Sequence, residues 1–418
     1  MDKLKSISPG VLLPFIVVYF FLNAAGLPAG FTYTLILSPF FIFLSWKKQL
    51  IAPYFWFALI ALLFFGIHLS NGVDVWTYTK SLTLLFGSFV FILMAILYAR
   101  SEEAIPFGMK SVTILNGFFL LIALAVLYSP YRESFWYLEP ISPGLPIIPR
   151  LKMLTYEASY YSLLLVPVFL YYYMKSIFLQ GYRVGLLAVL LFVPLLLSFS
   201  LGVIAGLVLS LFILYLAHIK WLVLHPRMRR TFLALFIAVV AALAGLYYFY
   251  PENPLFVRLQ NIPDGTDTSA RGRTYEAFEL AWLMIQKKSI WFGIGPGQIK
   301  LLGREVILNY YHYVQIPEVV RIPNAAAETL AQFGLIGLIL RIGAQFWLFF
   351  KTRVHANFYR LVLFLFVFIY QFTGSFMSNI AELTIWVFCF LPIVPELNKS
   401  NLFGALRISS LKKGEDDA

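Results

Sequence analysis

Apolar runs of roughly 17 to 20 residues recur along the chain, each long enough to cross a bilayer core, with short polar stretches between them. Twelve such runs can be read, at about 10–25, 29–45, 53–69, 79–98, 110–128, 158–174, 183–199, 201–218, 231–249, 325–350, 357–373 and 379–394. They predict an all-α polytopic membrane protein with about 12 transmembrane helices, a single integral membrane domain over 1–418. Two long polar segments interrupt the pattern, 129–157 and 250–324. In the second, Pro251, Pro254 and Pro263 break the chain and Asp264–Ser269 (DGTDTS) reads as a turn. From Thr274 to Gln286 the pattern changes: Tyr275, Phe278, Trp282 and Ile285 recur at helical spacing, with Glu276, Glu279 and Gln286 elsewhere on the wheel. This predicts an amphipathic helix near 273–287, too short to span and suited to lie at the membrane interface. It runs into WFGIGPGQ (Trp291–Gln298), read as a tight turn back to the membrane.

Composition agrees with that pattern. The chain is 61% hydrophobic and 12% charged, too little polar surface for a water-facing fold, in which about a quarter of residues are charged. The single cysteine, Cys389, excludes an intramolecular disulfide. A net charge of +12 invites nucleic acid, but its distribution argues otherwise, because most basic residues sit in short loops between the predicted spans. Of the 32 Lys and Arg, the loops that begin with the N-terminus and end with the C-terminal tail hold most, and the short loops opposite hold only Lys80. That asymmetry puts both termini in the cytoplasm and the two long segments outside. Lys3 and Lys5, with Ala24 and Ala25 after the first run, also fit a cleaved signal peptide, which would leave the mature N-terminus outside.

The basic residues of the two long segments are not needed to set orientation, because long loops follow the charge rule weakly. Arg271 and Arg273 stand at the N-terminal end of the predicted interfacial helix, where free backbone N–H groups favour an anion, and arginine's fork suits phosphate. Glu157, Asn324 and Glu328 open the sixth and tenth spans, and His68, Gln371, Asn379 and Glu382 also lie at exterior ends. The helix dipole alone explains a carboxylate in a first turn. Together, however, these residues gather polar groups on one face. Arg341 is the one ionisable residue deep in a span, which calls for a partner or a role. Tyr310, Tyr311, His312 and Tyr313 form a polar aromatic cluster late in the same loop. No metal-ligand spacing appears in either long loop, so no metal and no cofactor is expected, and the G-x-G-x-G turn lacks the strand–turn–helix setting of a dinucleotide site. A departing diphosphate can be stabilised by paired arginines, and an attacking sugar hydroxyl needs a base such as a carboxylate or His312. The substrate these residues imply is an amphiphile with its tail in lipid and its phosphates at the interface.

SARGRTYEAFELAW (Ser269–Trp282), the FGIGPG turn and NAAAETLAQFGLIGL (Asn324–Leu338) resemble the core of the bacterial O-antigen polymerase and O-antigen ligase superfamily. The shared features are an arginine before an amphipathic helix, a G-x-G turn (Gly293, Gly295), an Asn opening a span (Asn324) and Gly-x-x-Gly (Gly334, Gly337). By motif the resemblance covers roughly 270–340, and beyond that it rests on layout, twelve spans with large third and fifth periplasmic loops. It implies a GT-C-like, metal-independent glycosyltransferase of the bacterial inner membrane, working at the periplasmic face. Such an enzyme moves a growing glycan from one undecaprenyl diphosphate to a lipid-linked repeat unit, with a flippase and a chain-length regulator as partners. Ligases of the superfamily typically carry His immediately before that Asn; Pro323 stands here, which favours a polymerase. On this reading Arg271 and Arg273 hold the donor diphosphate and Glu157 is the base. Arg321, Arg258 and Arg150 hold the second carrier or glycan, with Asn324, Glu328, His312 and Tyr310 as further substrate contacts. The alternatives are a ligase or protein oligosaccharyltransferase of the same superfamily, and a lipid-linked oligosaccharide flippase. A transporter would concentrate polar groups at the midplane and show repeated halves, and neither is legible here.

Overall fold

The computed structural model describes residues 33–47, 51–101, 103–139, 147–179, 182–219, 271–312 and 320–402, with Phe20 and scattered single residues between 233 and 257. Most of the predicted first span and of the ninth, and Arg258, lie outside the described residues. Before the large loop come α1 (Ser38–Lys47), α2 (Ala52–Ser70), α3 (Val75–Ala99), α4 (Ala104–Ala125), α5 (Ala158–Phe178), α6 (Tyr182–Leu197) and α7 (Leu201–Ala217). After it come α8 (Tyr275–Gln286), α9 (Leu302–Tyr311), α10 (Ala325–Lys351), α11 (Phe358–Tyr370) and α12 (Ile380–Phe390). Five of these, α2, α3, α4, α5 and α10, are long and apolar enough to cross a membrane, and shorter apolar helices accompany them. This is a multi-pass membrane protein.

Burial sorts the helices. α5 is enclosed along most of its length and packs on α6, α11 and α12, whereas α2 is almost wholly peripheral. Apolar side chains such as Trp56, Leu62, Leu63, Leu121 and Trp347 remain exposed on α2, α4 and α10, as suits a surface solvated by lipid. The polar residues read at span ends have a local reason to be there. Asp74, Asn324, Asn357 and Asn379 each cap a helix, accepting from the backbone N–H of Thr77, Ala327, Arg360 and both Ala381 and Glu382. Such a cap satisfies a donor that the first turn leaves unpaired.

The tenth predicted span is not continuous. At Gly334 the backbone of α10 leaves helical geometry, with φ 66° and ψ −164°. The N–H groups of Leu335 and Ile336, deprived of their partners one turn back, donate to Ile290 and Trp291 carbonyls at 3.0 and 3.1 Å. The carbonyls of Ala331 and Gln332, vacated by the same break, accept from Ile294 and Gly295, both at 2.9 Å. The segment from Ile290 to Gly295 thus docks into the broken helix and gives these four backbone groups new partners. Contact this close requires glycine on both sides. A Cβ on Gly334 would stand 2.4 Å from the Trp291 backbone, and one on Gly293 would stand 2.6 Å from that of Gln332.

The described residues of segment 129–157 are folded as well. Trp136–Tyr137 (β1) pairs antiparallel with Arg150–Leu151 (β2), Trp136 opposite Leu151 and Tyr137 opposite Arg150. Trp136 is buried and donates its indole N–H to the Ala123 carbonyl at 2.8 Å, which fixes the ribbon to the end of α4. Among the described residues, loops assigned to the exterior from sequence meet at this end of the bundle. Arg150 reaches the Ser198 carbonyl between α6 and α7 at 3.1 Å. Lys288 reaches the carbonyls of Asn71 and Gly72 at 2.9 and 3.1 Å, and Gln298 exchanges two hydrogen bonds with the Asp74 backbone. His68 is fully buried; its Nε2 donates to the Phe292 carbonyl at 2.7 Å, so its Nδ1 accepts from the Tyr78 hydroxyl at 3.1 Å. Arg341 has the partner its position demanded. It pairs with Glu382 at 2.6 Å and donates to Gln371 Oε1 at 3.0 Å and Thr329 Oγ1 at 3.2 Å.

The helix near 273–287 is α8, and its orientation corrects the sequence reading. Ala277, Leu280, Ala281, Met284 and Ile285 pack toward α10, while Tyr275 and Trp282 of the expected apolar face are exposed. Glu276, placed on the polar side of the wheel, is buried. The helix has protein on one side, so the small residues that permit close packing, rather than the large aromatics, mark the inward face.

Candidate functional site

Glu157 precedes the first residue of α5 and is in the N-cap position, with extended backbone, yet its side chain makes no capping hydrogen bond. The carboxylate faces across the end of the bundle to Arg273, with Oε1 4.0 Å from Nη2. That is an ion pair without a hydrogen bond, and both side chains keep some exposure, 17% and 35%. The two line a small chamber with Arg321, Tyr156, Tyr370 and Asn379. Arg321 lies over the Phe376 ring at 5.1 Å, a cation–π contact that holds the guanidinium at the chamber's edge. Pro323 is also part of the wall.

Arg271 has a different setting. Its Nη2 is 2.5 Å from Oε1 of the buried Glu276, and its guanidinium lies near the Tyr275 ring at 5.9 Å. Donating to the Glu276 carboxylate raises the Arg271 pKa above its ordinary value. Glu276 also accepts from the Tyr311 hydroxyl at 2.8 Å, which ties α9 to α8. The two arginines of the motif therefore separate: Arg273 lines the chamber with Glu157, and Arg271 closes an ion pair inside the folded loop.

The remaining predicted residues divide in the same way. Asn324 is fully buried; its Nδ2 donates to the carbonyls of Arg273 at 2.9 Å and Phe372 at 2.7 Å while its Oδ1 caps α10. It holds the backbone that carries Arg273 and is not among the chamber's lining residues. Glu328 lines a separate, adjoining chamber, its oxygens accepting from Met377 N at 2.6 Å and Gln332 Nε2 at 2.8 Å. Tyr310 donates to Glu279, which with burial raises its hydroxyl to about 12. His312 ends α9 in a left-handed conformation, exposed, and lines neither chamber. Arg150 is committed to the Ser198 carbonyl and to the face of Tyr137 at 5.7 Å. Burial and the neighbouring Glu139 push the Tyr137 hydroxyl up to about 12. The sequence did not single out Tyr156, Tyr370, Ser375 and Phe376 as site residues, because no local spacing relates positions so far apart in the chain. Among the described residues no three His, Cys, Asp or Glu side chains converge as a metal site would require.

Chemically, the chamber is lined by a carboxylate, two guanidinium groups and aromatic rings, with Arg273 facing the carboxylate. A carboxylate can take a proton, and a pair of guanidinium groups can hold an anion in the fixed geometry of their forks. Comparison with family models finds that residues 186–342, which include α8, the docked turn and the upper part of α10, match the family described as O-antigen ligase. Comparison with curated proteins finds no match.

Proposed function

We propose that the chain is an O-antigen polymerase, a reading supported by the match of residues 186–342 to the family described as O-antigen ligase. It joins lipid-linked glycan repeat units at the periplasmic face of the inner membrane without a metal. The observation that carries this reading is the open pair, Arg273 facing Glu157 at 4.0 Å with Arg321 on the same chamber. A closed salt bridge such as Arg271–Glu276 has its charges already matched; the open pair leaves a guanidinium fork and a carboxylate for substrate.

In the proposed reaction the hydroxyl oxygen of the acceptor sugar attacks the anomeric carbon of the donor glycan. The bond from that carbon to the phosphate oxygen breaks, and its electron pair leaves with undecaprenyl diphosphate. Arg273 and Arg321 hold the charge that develops on the departing diphosphate. Glu157 takes the acceptor proton and later releases it to water. Proline at 323 has no proton-accepting side chain, so the base on this wall is Glu157.

The test uses purified protein with lipid-linked repeat units and a chelator. Polymer ladders are expected with metal removed, and Arg273→Ala is expected to lower their rate by about a hundredfold to a thousandfold, the usual effect of losing one donor to a developing anion. Ladders of undiminished rate from Arg273→Ala would end the diphosphate role. The family description favours a second reading, a ligase. That reading wins if glycan is transferred to a lipid A-core acceptor and not to a second repeat unit. Movement of lipid-linked units across a bilayer with no new glycosidic bond would instead mark a transporter.

A further inference from the structure

Ser375, in the turn between α11 and α12, has a backbone φ of 70°, in the left-handed region that residues other than glycine rarely adopt. A glycine would hold this turn without steric cost, whereas a serine holds it under strain. The conformation persists because the chain is pinned on both sides of it. Before Ser375, the carbonyls of Gln371 and Gly374 accept from the backbone N–H groups of Ala326 and Ala325 at 3.1 and 3.3 Å, and the Phe372 carbonyl accepts from Asn324. After it, the Met377 N–H donates to Glu328 at 2.6 Å and the Asn379 N–H to the Phe376 carbonyl at 2.9 Å.

The residue held this way is part of the wall of the Glu157 chamber. It is 7% exposed, and its Oγ has no hydrogen-bond partner among the described residues. A buried hydroxyl left unpaired is unfavourable, so strain and burial both work against serine at this position. Its hydroxyl becomes useful when a polar group enters the chamber. The chamber measures about 20 Å³, and roughly 10–15 Å³ admits one water. Its interior therefore takes a single hydroxyl and excludes a phosphate. The guanidinium groups can meet phosphate outside it, because Arg273 keeps 35% exposure and Arg321 is exposed.

We propose that Ser375 positions the reacting sugar hydroxyl, which enters the chamber alone while the diphosphate stays at the rim. Glu157 accepts the hydrogen of that hydroxyl, and Ser375 donates to one lone pair of its oxygen. The other lone pair is left for the anomeric carbon, and Ser375 keeps its own proton throughout. The inference rests on the reading that Glu157 is the base. It adds which group the chamber admits and which residue aims it.

The experiment compares the natural full chain with Ser375→Gly and Ser375→Ala in lipid nanodiscs. It reads the melting temperature, the affinity for a lipid-linked repeat unit and the rate of polymer formation. Both variants lack the hydroxyl, but only glycine relieves the strain, so Ser375→Gly is expected to melt no lower than the natural chain. Affinity is expected to fall about twofold to tenfold in both, the loss of one hydrogen bond, and the rate by about tenfold or more as the hydroxyl loses its orientation. A merely structural role would lower the active fraction and leave affinity alone. Unchanged affinity in both variants, or a loss in Ser375→Ala that Ser375→Gly does not share, would overturn the proposal. Weakened binding in both variants, with no polymer from the natural chain, would defeat the glycosyltransfer reading and leave Ser375 as a substrate contact. Polymer formed at the natural rate by Ser375→Gly would do the reverse.

Discussion

At the scale of single residues, what matters is whether a polar group is already satisfied. Sequence placed Arg271 and Arg273 together because they are two positions apart at a helix start, and it could not choose between them. The choice depends on Glu276, which is buried and draws Arg271 to it at 2.5 Å. Arg271→Ala should therefore lower stability by stripping a buried carboxylate of its counter-charge, and Arg271→Ala with Glu276→Gln should recover the melting temperature together with polymer yield. A double variant that melts normally but is inactive would return Arg271 to the catalytic site. Asn324 separates along similar lines, since one side chain both caps α10 and holds the Arg273 carbonyl. Asn324→Ala removes a cap, at a cost of about 0.5–2 kcal/mol, and the grip on Arg273 as well. Asn324→Ser keeps a capping oxygen but not the amide donors. It should melt closer to the natural protein than the alanine variant does and yet share its loss of polymer formation; full activity in Asn324→Ser would show that the amide does not position Arg273.

At the scale of elements, span positions were legible because an apolar run long enough to cross a bilayer has few other uses. Interruptions inside a span were not, since Gly334 sits in an unbroken apolar sequence and only the chain docked against it reveals the break. The inward face of α8 was misread for a related reason, because hydrophobicity does not tell a lipid-facing aromatic from a protein-facing alanine. The docked turn gives a direct test. Gly334→Ala and Gly293→Ala should abolish the monodisperse folded protein, since each new Cβ would lie within 2.6 Å of backbone atoms on the opposing segment. Gly343→Ala, in the same helix with nothing within 4 Å of its Cβ, should be neutral or stabilising by up to about 1 kcal/mol. Equal tolerance at Gly334 and Gly343, read from size-exclusion profiles and melting in detergent, would refute the docking. The Arg341–Glu382 pair joins α10 to α12 at 2.6 Å. Arg341→Met alone should cost about 3–5 kcal/mol by leaving a carboxylate buried without its partner, and adding Glu382→Leu should recover much of that loss.

At the scale of the whole molecule, sequence and structure describe orientation in complementary ways. The charge asymmetry says which loops share a side, but through a statistical rule about insertion. The structure shows those loops in contact, through Arg150 with Ser198, Lys288 with Asn71 and Gly72, and Asn324 with Phe372. At the other end Lys175 meets Glu396 at 2.7 Å and Lys399 meets His218 at 2.7 Å. The charge rule assigns the Lys175 end to the cytoplasm, and the functional proposal depends on that assignment, because the Glu157 chamber must open toward the periplasm. The chain is well suited to a labelling test because its one cysteine, Cys389, is fully buried and should resist a bulky maleimide. New cysteines at exposed Tyr128 and Trp76, on the end that carries the chamber, should react with a membrane-impermeant maleimide on cells whose outer membrane alone is permeabilised. A cysteine at exposed Arg100, at the opposite end, should react only after the inner membrane is broken. The reverse pattern would place Glu157, Arg273 and both chambers in the cytoplasm, away from periplasmic lipid-linked glycans, and no polymerase working at the periplasmic face could be built from them.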